Sequence, residues 1–101
     1  MMFKAIILLS RRDDMTPEAF RSWWLHEHAP LAAELPGVRR IVFNAPAETD
    51  DIDGISELWF DTEADFVAAY ATELGKSVAA DSMAHVRSRV RMFVTETVVV
   101  G

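Results

Sequence analysis

The chain has 101 residues, half of them hydrophobic, with 10 Lys and Arg against 16 Asp and Glu, a formal net charge of −6, and no cysteine. That length and apolar content suit a single domain over residues 1–101 with a real core and argue against disorder. The negative charge disfavours a phosphate-binding surface and so nucleic acid, and the lack of cysteine removes disulfides, thiolate metal sites and cysteine nucleophiles.

Residues 3–9 are a continuous apolar run of strand length. The first ten residues carry one lysine and no small-residue cleavage site, and their apolar run is too short to span a bilayer. They read as a first strand in a cytoplasmic protein with no membrane partner. After a polar turn at 11–14 comes the most informative stretch, residues 15–38. Thr16 can cap a helix, Pro17 suits its first position because its missing N–H would be unpaired there anyway, and Met15 can staple onto Phe20. At about 100° per residue Phe20, Trp24, Leu31 and Leu35 share a buried stripe that Glu27 borders; His28 sits at its edge and His26 points away. Histidines two apart do not share a helix face, so His26 and His28 make no metal pair. Pro30 lacks an N–H and clashes with the carbonyl of His26, which predicts a kink or an end at residues 27–29 and open space beside His28. Pro36-Gly37 closes the helical region.

Residues 38–44 read as a second strand, 45–53 as a loop whose Pro46 and acidic residues suggest solvent exposure and mobility, and 55–60 as a third strand. Thr62 with Asp65 forms an approximate capping box for a second helix, in which Phe66, Ala69, Tyr70 and Leu74 face inward until Gly75 interrupts it. Residues 77–85 predict a further short helix, and the β-branched run 90–100 a long last strand.

The order β-α-β-β-α-β predicts an α+β, ferredoxin-like fold, a four-stranded antiparallel sheet with helices on one face. The first strand is apolar on both sides, with Phe3, Ala5, Ile7 and Leu9 on one and Met2, Ile6 and Leu8 on the other. Two helices cover one face only, so a second copy is the natural cover for the other, giving a homodimeric α+β barrel.

The segment MTPEAFRSWWLHEHAPLAAELPGVRR resembles the signature of the EthD family, named after a protein of ethyl tert-butyl ether degradation; ISELWF at 55–60 and MFVTE at 92–96 extend the likeness over the whole chain. Its most specific part is His28-Ala-Pro-Leu followed by Leu35-Pro-Gly. The resemblance implies a dimeric α+β barrel. The family also includes a 4-methylmuconolactone methylisomerase that uses neither metal nor organic cofactor, whose helix histidine His28 matches, and which has a cysteine where this chain has Leu58.

His28 is the candidate catalytic residue, since an imidazole titrates near neutrality and both takes and gives a proton. His26 reads as a solvated residue, and His85 as a residue near a helix C-terminus, where a positive imidazole interacts well with the dipole, with a place at the site as its second reading. Glu57 and Trp59 share a strand face. Under the helices Glu57 would be a carboxylate with a raised pKa; on the far side it would meet the dimer partner, and a salt bridge to Arg40 is its simplest role. Trp23, Trp24, Trp59, Phe60 and Tyr70 can line an aromatic pocket or fill the core, and Tyr70 or Asn44 can orient a carbonyl. The candidate substrate-binding residues are therefore Trp24, Tyr70, Trp59, Asn44, Glu57 and His85. Arg87, Arg89 and Arg91 alternate along the last strand, a row suited to a carboxylate, but a charged strand end paired with acidic residues accounts for them more simply. With no His-x-x-x-His spacing, no glycine-rich phosphate loop and no nucleophile elbow, neither a metal nor a nucleotide cofactor nor serine-hydrolase chemistry is expected. Residues and resemblance together predict cofactor-independent acid/base chemistry, as an isomerase, lyase or cyclase, on a small cyclic or aromatic-derived catabolite. The alternatives are a non-catalytic accessory or binding protein of an oxidative degradation pathway, and a cofactor-free oxygenase of a phenol.

Overall fold

The computed structural model describes residues 2–47 and 51–101. The elements run β1 (Phe3–Arg11), α1 (Pro17–Trp23), a π-helical turn (Trp24–His28), α2 (Ala29–Ala32), β2 (Arg40–Asn44), β3 (Gly54–Phe60), α3 (Glu63–Ala71), α4 (Glu73–His85) and β4 (Val86–Val94). The four strands make one antiparallel sheet in the order β2-β3-β1-β4. Ala5, Ile7 and Leu9 of β1 and Leu58 and Phe60 of β3 are buried against Phe20, Trp24 and Leu35 of the first helical region and Phe66, Ala69 and Val78 of the second. This is the ferredoxin-like arrangement that the element order predicts.

The helix starts follow the local chemistry of the chain. The Thr16 side chain accepts from the Ala19 N–H with Pro17 just inside the helix, and the Thr62 side chain accepts from the Asp65 N–H. The expected kink or end at residues 27–29 is replaced by one widened turn, in which the Ala29 N–H reaches the Trp24 carbonyl five residues back, and the helix continues through Pro30 into α2. Widening the turn is the geometry that moves the His26 carbonyl away from the proline ring. It also resets the buried face. Phe20, Trp24 and Leu35 are buried as the 100° period requires, Leu31 is half-buried and Glu27 exposed, but Trp23 and His28 are buried as well.

The first three strands lie within two residues of the expected bounds, and the larger differences fall in the second half of the chain. Gly75 does not interrupt the second helix; Thr72 does, leaving extended geometry between α3 and α4 and capping α4 by accepting from the Gly75 N–H at 3.0 Å. Leu74 therefore belongs to the second segment, and the last helix begins at Glu73 rather than 77. Gly75 sits so close to the end of α3 that a Cβ there would lie 2.1 Å from the Ala69 carbonyl oxygen and 2.5 Å from the Tyr70 Cα. The last strand runs over Val86–Val94 rather than 90–100, and Val98, Val99 and Val100 lie beyond it, exposed. In the loop 45–53, residues 48–50 are outside those described, so its expected mobility is not at issue there. Its end is tied down: the Asp53 N–H donates to the Leu9 carbonyl, and the Asp53 carboxylate accepts from the Arg11 backbone N–H at 2.9 Å and from the Arg11 guanidinium at 2.8 Å.

The outer sheet face carries Met2, Ile6, Leu8, Ile55, Val90 and Met92, half-buried or exposed, around a polar centre. There Lys4 bridges Glu57 and Glu96, each at 2.9 Å.

Candidate functional site

The π turn assembles the site. In a regular helix Trp23 and His28 would be about 140° apart around the axis; the inserted residue brings their rings to 5.0 Å between centroids. Both then meet α4 at Asp81. The His28 Nδ1 lies 2.8 Å from Asp81 Oδ2, and the Trp23 indole N–H donates to both carboxylate oxygens at 3.2 Å. His85, one turn further along α4, stacks on Trp23 at 4.1 Å and directs its Nδ1 to the Asp81 carbonyl at 2.7 Å. A carboxylate has no proton to give, so the His28 Nδ1 carries the hydrogen and its Nε2 holds the lone pair. That Nε2 faces the Ser82 hydroxyl at 3.3 Å.

His28 is 5% exposed. Burial pulls its pKa below the ordinary histidine value against the opposing pull of Asp81, and the positive charge of Arg89 adds to the lowering. The imidazole is thus neutral at pH 7, with a fixed tautomer and a free base on its inner nitrogen. It forms part of the wall of a cavity of about 20 Å³ between sheet and helices, together with Phe43 of β2, Ser56 of β3, Tyr70 of α3, Ser82 of α4 and Arg89 of β4. Burial raises the Tyr70 pKa, while the charges of Arg89 and Arg91 pull it down; the phenol stays protonated and able to donate.

Of the residues singled out in the sequence, His28, Tyr70 and Arg89 line this cavity, and His85 reaches it through Trp23 and Asp81. Trp24 lies behind it, fully buried and stacked on Phe43 at 4.5 Å. Gly54 permits that placement, since a Cβ there would be 2.8 Å from the Trp24 ring. Glu57, Trp59 and Asn44 belong to the outer face of the sheet, across from His28. Glu57 pairs with Lys4, not Arg40, and accepts from the Asn44 amide at 2.9 Å; these hydrogen bonds hold its carboxyl below the usual range, the reverse of a raised catalytic acid. Trp59 donates to Glu96 at 3.2 Å under the cations of Lys4 and Arg40. His26 is exposed, as its angle predicts.

Sequence reasoning missed Asp81, Ser82 and the bond from Trp23. Asp81 had one signal, its spacing four residues before His85, which counts only once the last helix is known to span both. Among the described residues no three potential metal ligands converge.

A family model, the EthD domain, matches residues 12–86. The chain belongs to the EthD family. A relative from Rhodococcus erythropolis, an uncharacterized 11.0 kDa protein of the thcB-thcC intergenic region, is 28% identical over 102 residues that cover 94% of each chain. Among solved structures, an EthD family protein from Bacillus halodurans is similar with a TM-score of 0.85 at 24% identity, over 96% of this chain and all of that one. A dimeric ferredoxin-like protein of unknown function from Thermobifida fusca has a TM-score of 0.77 at 19% identity, over 95% and 92% of the two chains. SnoaB, a cofactor-independent oxygenase from Streptomyces nogalater, has a TM-score of 0.74 at 16% identity, over 94% and 92%. At these identities the structures speak to the fold. The EthD match spans Trp23, His28, Asp81 and His85, and it ends at Val86, so Arg89 lies beyond it.

Proposed function

We propose that this EthD protein is a cofactor-independent enzyme carrying out acid/base chemistry, an isomerisation, elimination or cyclisation, on a small cyclic or aromatic-derived molecule. The observation that carries the reading is a buried imidazole with Nδ1–H bound to a carboxylate and Nε2 facing the Ser82 hydroxyl in the wall of a small cavity. Such an imidazole takes a proton at Nε2, and the imidazolium that forms is stabilised by Asp81 at 2.8 Å. Asp81 in turn is positioned by the two hydrogen bonds from Trp23. In an isomerisation the proton leaves one carbon of the substrate for His28 and returns to another, so charge and atoms balance without a redox partner. Tyr70 is suited to donate to the oxygen on which negative charge collects.

The cavity of about 20 Å³ has the size of one water. A ring is several times larger, and its entry in this reading parts the wall at Tyr70, next to the one-residue joint at Thr72 between α3 and α4. The family's dimeric architecture enters as a further part of the proposal: a second copy covers the apolar outer sheet face, and the assembly is a homodimer.

The test is a screen of lactones, unsaturated cyclic acids and phenols for turnover. General acid/base catalysis contributes about 10²–10⁴-fold, so His28→Ala should lower turnover by that factor, and Asp81→Asn by less, with the fold intact by circular dichroism. His26→Ala should keep wild-type rates. Turnover untouched by His28→Ala would overturn the mechanism. Tight binding without turnover would favour the accessory protein, and oxygen consumption with phenols the oxygenase.

A further inference from the structure

The arginine row of β4 is not uniform. Arg87 donates to the Arg11 carbonyl at 2.8 Å and faces Asp13 and Asp51, each at 3.7 Å, and Arg91 lies over the Phe66 and Phe93 rings at 5.5 and 4.9 Å. Arg89, between them, is half-buried on the inner face opposite Leu9 and points into the His28 cavity. Neither its guanidinium nor the Tyr70 hydroxyl has a hydrogen-bond partner among the described residues. In a chain with sixteen acidic residues, no carboxylate lines this cavity, and Arg89 is its one side chain with a fixed charge. Burial disfavours that charge. The guanidinium nitrogens still reach solvent, and an anion that enters the cavity replaces that water with a paired, charge-assisted acceptor.

Resting on the acid/base reading of the same cavity, we propose that Arg89, with Tyr70 beside it on the cavity wall, is the seat of a substrate carboxylate, so that the molecules presented to His28 are small organic acids bound as anions. The fork of Arg89 suits a planar carboxylate. Occupation of the seat has a consequence at His28: it offsets the Arg89 charge, which adds to burial and to the charge of His85 in lowering the imidazole pKa, so binding of the acid makes the base stronger.

Benzoate and its neutral counterpart benzamide serve as probes, with binding followed by calorimetry and the His28 titration followed by NMR. The wild-type protein should bind benzoate at least about tenfold more tightly than benzamide, and the His28 pKa should rise when benzoate is bound. Arg89→Gln should remove both the preference and the rise, while Arg89→Lys should keep a reduced preference. Because Arg89 has no acidic partner, neither variant strands a buried carboxylate, and the lysine variant decides the matter if the glutamine variant does not fold. Failure of the wild-type protein to bind benzoate, or equal affinity for acid and amide, would overturn the proposal, as would an acid preference that Arg89→Gln leaves unchanged. Acid-selective binding that persists in His28→Ala, with no turnover of any substrate, would reject the acid/base reading and leave the seat standing. His28-dependent turnover equal for acids and their amides would do the reverse.

Discussion

At the scale of single residues, His28 ties chemistry to stability. Its folded pKa lies below its ordinary value of 6.5, so below that pH the unfolded chain binds a proton that the folded chain refuses. Stability is therefore full above about pH 6.5 and falls with acidification until the folded imidazole itself takes the proton. Glu57, held low by Lys4 and Asn44, adds a second loss as pH drops through the carboxylate range below 4.5. Denaturant melts from pH 8 to pH 3 should show the two steps in that order, and His28→Gln should abolish the first alone. Asp81→Asn should lower the His28 pKa further by removing the charge that favours the imidazolium, a shift readable in ¹⁵N NMR. An unchanged or raised value in that variant would contradict the assigned dyad.

At the scale of elements, the second helical region is two helices joined at Thr72, and Gly75 is what lets them meet. An added Cβ would fall 2.1 Å from a backbone oxygen that cannot rotate away. Gly75→Ala should thus cost about 1–3 kcal/mol from overpacking, in spite of alanine's better helix propensity. Thr72→Ala should cost about 1 kcal/mol through the lost cap. A thermal melt of Gly75→Ala at or above wild type would show that α3 and α4 do not approach this closely. The sequence made the four strands, the two helical regions, the caps at Thr16 and Thr62 and the exposure of His26 legible, because each rests on local patterning. It did not make the α3–α4 break legible, since a glycine reads as an interruption whether it ends a helix or makes room inside one. Half of the site was hidden for a related reason. The partnership of Trp23 and His28 depends on one residue inserted into a turn, and a fixed 100° period sends those two side chains to different faces. Likewise, the face of Glu57 and Trp59 follows from where the helices pack, which alternation along a strand leaves open.

At the scale of the whole molecule, the sheet has one face under the helices and one without cover in a single chain. Met2, Val90 and Met92 are each more than 40% exposed there. Yet Lys4, at the centre of the same face, is only 7% exposed; burial acts against its charge, and the bonds it donates to Glu57 and Glu96 outweigh it, so its pKa is raised. A lysine so paired can sit beneath a partner without being stripped of its acceptors, which makes this face fit for a second copy. If the dimer melts directly to two unfolded chains, each tenfold rise in protein concentration adds about 1.4 kcal/mol to the stability of the assembly. For two chains of this length that corresponds to roughly 3 °C in melting temperature. Met92→Lys places a charge opposite Ile6 on the open face, away from the helix-covered core. It should shift elution from the size of a pair to that of one chain, at a larger volume, and make the melt independent of concentration, while the His28 titration, on the other side of the sheet, stays as it was. A wild-type protein that elutes as one chain and melts at the same temperature from micromolar to millimolar concentration would reject the barrel and leave the outer face solvated.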